Sequence, residues 1–233
     1  MKHRNSHLLI GYWSRLRAGR DVPDQSEIDP RAIKRMLSQV FILDGRDPAR
    51  PFYRLAGTKL CERFGLELRG TSFYAHWEAQ ARDRLVLLLR QSLQMRQPLW
   101  LSAIGTTSNC AMLEMETVLA PLTFGAGASQ RFLGITQFLG DSTQLGGRSI
   151  AYERLIDSRM ICENEPFDRP QDPPVAPFRA PGFGKAPHLR LVVSRDGPAP
   201  LQSRMDGQMR NLIEALELMR PAGQIRQDSA ESR

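Results

Sequence analysis

Apolar residues recur along this chain at two spacings, one typical of helices and one typical of strands. Near the amino terminus they recur at helical spacing and form one stripe, which predicts an amphipathic helix that ends at Gly19. The members of this stripe are Leu8, Leu9, Tyr12, Trp13 and Leu16. A second stripe over residues 204–220 consists of Met205, Met209, Leu212, Ile213, Leu216 and Met219. It predicts a helix too short to be stable alone, so this helix needs a surface to pack on.

Five apolar or alternating runs between these helices predict strands. Residues 40–43 are apolar throughout and end at Asp44-Gly45, as in a strand covered on both faces. Residues 52–57 alternate, which places Tyr53 and Leu55 on one face. The other three predicted strands cover residues 99–107, 111–124 and 131–139. Because short turns join these last three strands, we expect an antiparallel meander.

Helices are predicted between the second and third strands and ahead of the first. Asp29 and Pro30 are typical of a helix start, so residues 31–37 are expected to be helical. Residues 59–64 form a helix that Gly65 ends. Residues 82–95 form a longer one, with Leu85, Leu88, Leu89, Ser92 and Met95 on one face. The pattern therefore indicates an α+β domain.

Residues 28–70, IDPRAIKRMLSQVFILDGRDPARPFYRLAGTKLCERFGLELRG, resemble the front half of a PAS domain. With LLIGYWSRLRAGRDVP ahead of them, they are more narrowly similar to a largely uncharacterised group of alphaproteobacterial PAS-like proteins. The resemblance covers roughly residues 5 to 140. It implies a PAS-like five-stranded antiparallel sheet with flanking helices, and a cytoplasmic sensory or protein-interaction role without catalysis.

The predicted elements divide the chain into four parts. Residues 1–27 are the N-terminal helix and cap, and residues 28–140 are the PAS-like domain. Residues 141–187 are assigned to a proline-rich linker, although 149–161 could be a short helix or a strand. Residues 188–233 are a C-terminal extension that carries the helix over 204–220.

Charge and cysteine content narrow the function classes. The formal net charge is +7, which fits nucleic acid as a partner, but the arginines lie scattered beside acids, which favours an ordinary solvated surface. Cys61, Cys110 and Cys162 lack the spacing of a zinc site or disulfide framework, as expected in a reducing cytoplasm. No signal peptide is recognisable, and no run approaches the roughly 20 apolar residues of a membrane span.

The predicted sheet and helices enclose the candidate ligand site, a cavity for a small apolar molecule. Its candidate lining residues are Phe41, Leu43, Tyr53, Leu55, Phe64, Tyr74, Leu89, Leu113, Met115 and Phe132. The alternative is that these side chains fill the core and leave no cavity. The cofactor is unknown. Cys61 does not match the cysteine motif of flavin photosensors, and residues 82–95 lack the axial histidine usual in haem-binding PAS domains.

No catalytic or metal site is expected, since the four histidines lack ligand spacing and the Glu114–Glu116 pair fits an exposed strand face. The N-terminal helix is expected to cover the sheet, with a membrane surface or a second subunit as alternatives. We expect the protein to form a homodimer or to bind another protein. The alternatives are a regulator that binds nucleic acid and a small enzyme. The candidate interface residues are Leu9, Tyr12, Trp13, Leu16, Met209, Leu212 and Leu216.

Overall fold

A computed structural model describes residues 1–125, 130–140 and 142–162 of the chain. The α-helices are α1 (Arg4–Arg17), α2 (Thr58–Phe64) and α3 (Ala79–Met95). The strands are β1 (Val40–Asp44), β2 (Phe52–Ala56), β3 (Leu99–Thr107), β4 (Met112–Leu122), β5 (Arg131–Leu139) and β6 (Ile150–Met160). Short 3₁₀ helices cover Gln25–Glu27, Leu37–Gln39 and Ser142–Leu145. The fold is therefore α+β, as the sequence predicts.

All six described strands belong to one antiparallel sheet in the order β2-β1-β5-β4-β3-β6. The meander β3-β4-β5 is confirmed, and β5 joins it to β1 in the middle of the sheet. The prediction of five strands is one short, because β6 pairs with β3 along its length. The sheet thus extends past residue 140, into the range that the sequence pattern assigns to a linker.

The sheet separates two apolar clusters, one on each face. The outer cluster joins α1 and the segment before β1 to one face of β1, β4 and β5. Its main members are Leu9, Ile10, Tyr12, Trp13, Ile33, Leu37, Val40, Ile42, Val118, Ala120, Leu133 and Ile135. The inner cluster joins the other face to α2, α3 and the segment between them. The predicted role of the N-terminal helix as a cover for the sheet is confirmed.

Two local predictions on the outer side are wrong. Leu8 is 46% exposed, and the buried stripe of α1 contains Ser6 and Ile10 instead. Residues 31–37 form consecutive turns with hydrogen bonds three residues apart, so no α-helix forms there. Because turns of this kind repeat every three residues, Ile33 and Met36 lie on the same side of the segment. Both side chains therefore pack in the outer cluster.

A buried carboxylate fastens the start of α1 to the sheet. Glu116 on β4 is fully buried and accepts hydrogen bonds from the backbone N–H groups of Lys2 and His3, at 2.8 and 2.9 Å. The Ser6 hydroxyl and the Trp100 indole N–H donate to it as well, at 2.5 and 3.1 Å. Burial raises the pKa of Glu116, but these four donors outweigh burial, so its pKa is lowered.

The expectation that Glu114 and Glu116 both lie on an exposed face therefore holds for Glu114 alone. The two side chains share a face, but α1 covers Glu116, whereas Glu114 pairs with Lys2 at the surface. Beside Glu116, the Gln137 side chain is also fully buried, and neither of its amide atoms has a hydrogen-bond partner among the described residues. An unsatisfied buried amide costs about 1–3 kcal/mol. On this face of the sheet, Glu116 therefore stabilises the fold through its hydrogen bonds, whereas the Gln137 amide destabilises it.

Candidate functional site: the interior behind the sheet

Most of the predicted lining residues come together in the inner cluster. Eight of the ten belong to it, namely Phe41, Leu43, Tyr53, Phe64, Tyr74, Leu89, Met115 and Phe132. The structure adds the buried Trp77 and Phe73 from the segment between α2 and α3. The aromatic content of residues 73–77 could have indicated both additions from the sequence.

Leu55 lies on the other side of the sheet, in the outer cluster, and Leu113 belongs to neither cluster although it is buried. The pairing of β1 with β2 shifts between Ile42 and Leu43, which pair with Leu55 and Tyr53 respectively. Such a bulge places Tyr53 and Leu55 on opposite faces despite their spacing of two. The prediction that they share a face is therefore wrong.

Aromatic rings pack along the inner face in a continuous series. Ring centroids lie 5.4 Å apart for Phe41 and Tyr53, 5.9 Å for Tyr53 and Phe73, and 6.0 Å for Phe73 and Trp77. The Phe41 ring lies directly on the backbone of Gly134 in β5, where a Cβ atom would meet the ring at 2.2 Å. These contacts fix the apolar wall of the interior.

The interior also holds a buried acid that the sequence pattern does not indicate. Glu153 on β6 is 4% exposed and lies opposite Gly105 on β3. Its backbone N–H donates to the His76 carbonyl at 2.7 Å, and its carbonyl accepts from the Glu78 N–H at 3.0 Å, which fixes β6 against the start of α3. Burial raises the pKa of Glu153 to about 8, so this carboxyl is mostly protonated at neutral pH.

Three further kinds of polar group face the same interior. Burial, and then the nearby Glu153 carboxyl, raises the pKa of Tyr53 well above its usual range. The indole N–H of Trp77 is buried and has no hydrogen-bond partner within residues 1–125, 130–140 and 142–162. The hydroxyls of Thr117 and Thr136 lie 2.9 Å apart on the inner face, and their mutual hydrogen bond leaves one hydroxyl proton for another acceptor. The inner cluster therefore combines an apolar wall with several hydrogen-bond donors.

Three residues that the sequence analysis considered are placed differently from the donors of this interior. The Tyr74 hydroxyl donates to the Pro48 carbonyl at 2.7 Å and holds the loop before β2. The His76 ring packs on Phe64 at 4.6 Å between centroids, and burial lowers its pKa, so it is neutral. Cys61 lies half-buried on α2, and burial raises its thiol pKa.

Three arginines surround one buried acid at the end of β1. Asp44 is 2% exposed and accepts from Arg46 Nε at 3.0 Å and Arg54 Nη1 at 3.1 Å. Its neighbour on β5, Arg131, is 5% exposed, donates to Gln25 at 2.6 Å and lies over the Phe124 ring. Burial lowers the pKa of Arg131 to about 10, and the positive Arg54 adds to that effect. This network lies at the end of β1, where Asp44 pairs with Arg131 at the start of β5.

The candidate interface residues lie mostly inside the chain. Leu9, Tyr12 and Trp13 are buried in the outer cluster, and Leu16 packs against it while partly exposed. These side chains leave little surface for a second subunit. Met209, Leu212 and Leu216 fall outside the described residues.

Among the described residues, one group of exposed apolar side chains lies on β3, β4 and β6, whereas Leu8, Leu66, Leu87 and Met95 are exposed elsewhere. Met112 and Tyr152 both lie opposite Thr106, and Ile104 follows on the same face of β3. Met112, Tyr152 and Ile156 are 62%, 59% and 52% exposed. We call Ile104, Met112, Tyr152 and Ile156 the open patch.

The described part of the chain contains no helix with the length and hydrophobicity needed to cross a membrane. Within the same residues, no group of three or more histidine, cysteine, aspartate or glutamate side chains could hold a metal ion.

An antiparallel sheet with one face closed by an N-terminal helix and an apolar interior on the other defines a small sensor-type α+β domain. Residues 1–137 match the PAS domain family, and the chain belongs to that family. The resemblance of residues 28–70 to a PAS domain is thereby confirmed. A PAS domain indicates a sensory or regulatory role.

Solved structures with a similar fold include light-oxygen-voltage (LOV) domains. One was studied with a flavin analogue; it is 13% identical with a TM-score of 0.39, and the match covers 50% of this chain and 87% of that one. The Rhodobacter sphaeroides LOV protein is 16% identical, with a TM-score of 0.38 and coverages of 51% and 72%. The dark structure of the Aureochrome1 LOV domain is 12% identical, with a TM-score of 0.37 and coverages of 49% and 84%. No curated protein matches this chain.

Proposed function

We propose that this protein is a cytoplasmic PAS-type regulator that transmits a signal through protein contacts and performs no catalysis. The observation that carries the proposal is the inner cluster, which joins a buried apolar wall to donors on β2, β4, β5 and β6. The three cysteines are free, which fits a reducing compartment. The site is proposed to receive a small molecule that gates these contacts.

The proposed ligand is apolar with one neutral polar group. Because the Glu153 carboxyl is mostly protonated at neutral pH, it can donate a hydrogen bond, as can the Tyr53 hydroxyl and the Trp77 indole. A carbonyl or hydroxyl oxygen on the ligand would accept these bonds. A charged ligand head would lose its hydration without an opposite charge to replace it.

Native mass spectrometry of the full chain purified from its host tests this proposal. We expect a bound species, and we expect Tyr53→Phe to weaken its retention about fivefold, since one hydrogen bond is lost. Raising the pH above 8 should also release the ligand, because ionised Glu153 no longer donates. Tyr152→Phe removes the same hydroxyl from a residue that is 59% exposed and should leave ligand retention unchanged.

A protein that carries no bound species at any stage of purification would contradict a tightly held ligand. Equal loss in Tyr53→Phe and Tyr152→Phe would place the ligand elsewhere.

We further propose that the protein forms a homodimer through the open patch rather than through α1. What supports this is that the outer cluster joins α1 to residues of β1, β4 and β5 but contains none of the described residues of β6. Exposed apolar groups on a flat sheet face are typical of association surfaces. Arginine and acid residues border the patch at Arg154, Glu114 and Asp157, as in a polar rim.

Ile156→Lys should raise the dimer dissociation constant at least about tenfold, because a charge would be buried at the contact. Light scattering across a range of protein concentrations measures this. Leu87→Lys on α3 is the matched control, since Leu87 is 62% exposed, compared with 52% for Ile156, and lies away from the patch. A monomer mass at every concentration would defeat the proposal.

The positive charge does not favour nucleic-acid binding over this function. In the described residues several arginines pair with acids, as Arg20 does with Glu27, Arg96 with Asp21 and Arg154 with Glu78. Such pairs reduce the free positive surface that phosphates would need.

A further inference from the structure

A cavity of about 230 Å³ lies on the outer side, away from the inner cluster. It opens between α1, the residues that follow α3 and the end of β6. Its apolar walls are Ile10, Trp13, Pro98 and Ile161. The Ile161 N–H donates to the Pro98 carbonyl at 2.7 Å, so the two ends of the cavity are held together.

The rim of this cavity holds two guanidinium groups and an unused acceptor. Arg17 lies over the Trp13 ring at 5.3 Å, and Arg96, which also pairs with Asp21, lines the cavity with about half of its side chain exposed. The Gln97 side-chain oxygen is buried without a hydrogen-bond partner in the described part of the chain. An occupant with an apolar group, negative charge and a free N–H would match the walls and the rim.

The chain itself supplies such a segment at the mouth of the cavity. Cys162 lines the cavity, and residues 163–168 follow it directly with the sequence Glu-Asn-Glu-Pro-Phe-Asp. This segment carries three acids and one aromatic ring. Five residues reach at most about 18 Å, so Phe167 can reach the walls. Covalent attachment also gives the segment a high effective concentration over any free competitor.

We propose that residues 163–168 fold back into this cavity, with Phe167 against Trp13 and the acids facing Arg17 and Arg96. The docked segment fastens the start of the C-terminal extension to α1. Because the docked segment contacts α1, a movement of α1 on the sheet would also move the start of the C-terminal extension. The cavity shares no residues with the inner cluster, so the docking proposal does not depend on the proposed ligand.

Hydrogen exchange of α1 in the full chain tests the docking. Phe167→Ala should speed exchange of amides 10–17 about three- to tenfold, because those residues lose their cover. Phe178→Ala, which removes the same ring eleven positions further along, should leave exchange of α1 unchanged. In a background with Cys61→Ser and Cys110→Ser, labelling of the Cys162 thiol should accelerate in Phe167→Ala only.

Equal exchange of α1 in wild type, Phe167→Ala and Phe178→Ala would overturn the proposal. Protection of α1 that rises with protein concentration would overturn it too, since the occupant would then be a second copy. A small anion retained in native mass spectrometry and lost in Trp13→Ala but not in Phe167→Ala would assign the cavity to that anion instead.

Discussion

Replacing Glu116 with glutamine should lower the free energy of unfolding by about 3 kcal/mol, because a buried anion with four donors becomes a neutral amide. The Lys2 and His3 N–H groups, the Ser6 hydroxyl and the Trp100 indole would compete for one amide oxygen. Urea unfolding followed by tryptophan fluorescence measures the change.

The matched control is Glu114→Gln, two residues earlier on the same face of β4. Glu114 is solvent-exposed and pairs with Lys2 at the surface, so its loss should cost less than about 1 kcal/mol. Equal effects of the two substitutions would show that the Glu116 charge does not fasten α1.

The Glu116 contribution should depend on pH in one direction. Its folded-state pKa is lowered, so the contribution is complete above the pKa of the unfolded chain, about 4.3. It is lost as the pH falls through the lowered folded-state pKa. The stability difference between wild type and Glu116→Gln should therefore shrink on acidification.

Replacing Asp44 with asparagine should also cost about 3 kcal/mol, because Arg46 and Arg54 lose the buried carboxylate to which they donate and the buried Arg131 loses a nearby negative charge. Asp44 is 2% exposed and Arg131 is 5% exposed, so water cannot replace the lost charge. Arg46 is mostly exposed, so its own pair with Asp44 contributes little to this loss.

Asp47→Asn is the control for Asp44→Asn. Asp47 is exposed, and its carboxylate accepts from the Ala49 N–H in the loop before β2. Thermal unfolding of both variants at pH 7 should lower the melting temperature in Asp44→Asn by several degrees more than in Asp47→Asn. Similar melting temperatures would contradict the role assigned to the Asp44 carboxylate.

The sequence pattern predicts the elements that have one regular periodicity. The predicted bounds of β3 and β5 are the observed ones, Leu99–Thr107 and Arg131–Leu139. The apolar run that starts at Val40 is buried on both faces because a cluster lies on each side. In these strands most of the apolar positions of the sequence are buried in the fold. The sequence pattern is therefore sufficient to predict the strands.

Periodicity fails where tertiary contacts change the register or cover a polar residue. β6 is an edge strand with Tyr152 and Ile156 exposed and Glu153 buried, so its polar and apolar residues do not alternate by burial. The bulge in β2 separates Tyr53 from Leu55, although their spacing is two. Glu116 is buried because α1 supplies its donors from more than 100 residues earlier in the sequence.

The candidate site could be predicted in its apolar part only. Seven lining residues lie on predicted strands or helices, and the eighth, Tyr74, lies in the aromatic segment between α2 and α3. The donor groups do not, since Glu153 lies on the strand that the pattern leaves undecided and Trp77 lies in an irregular segment. A single buried carboxyl with a raised pKa produces no repeating signal in a sequence.

Amide hydrogen exchange of α1 tests most directly the central claim that this chain covers its own sheet. In wild type we expect amides 9–13 to be protected together with those of β4 and β5, because Leu9, Tyr12 and Trp13 are buried against these strands. In Glu116→Gln the α1 amides should exchange faster while β4 and β5 keep their protection. Exchange of α1 in the wild-type protein at the rate of a free peptide would contradict the account.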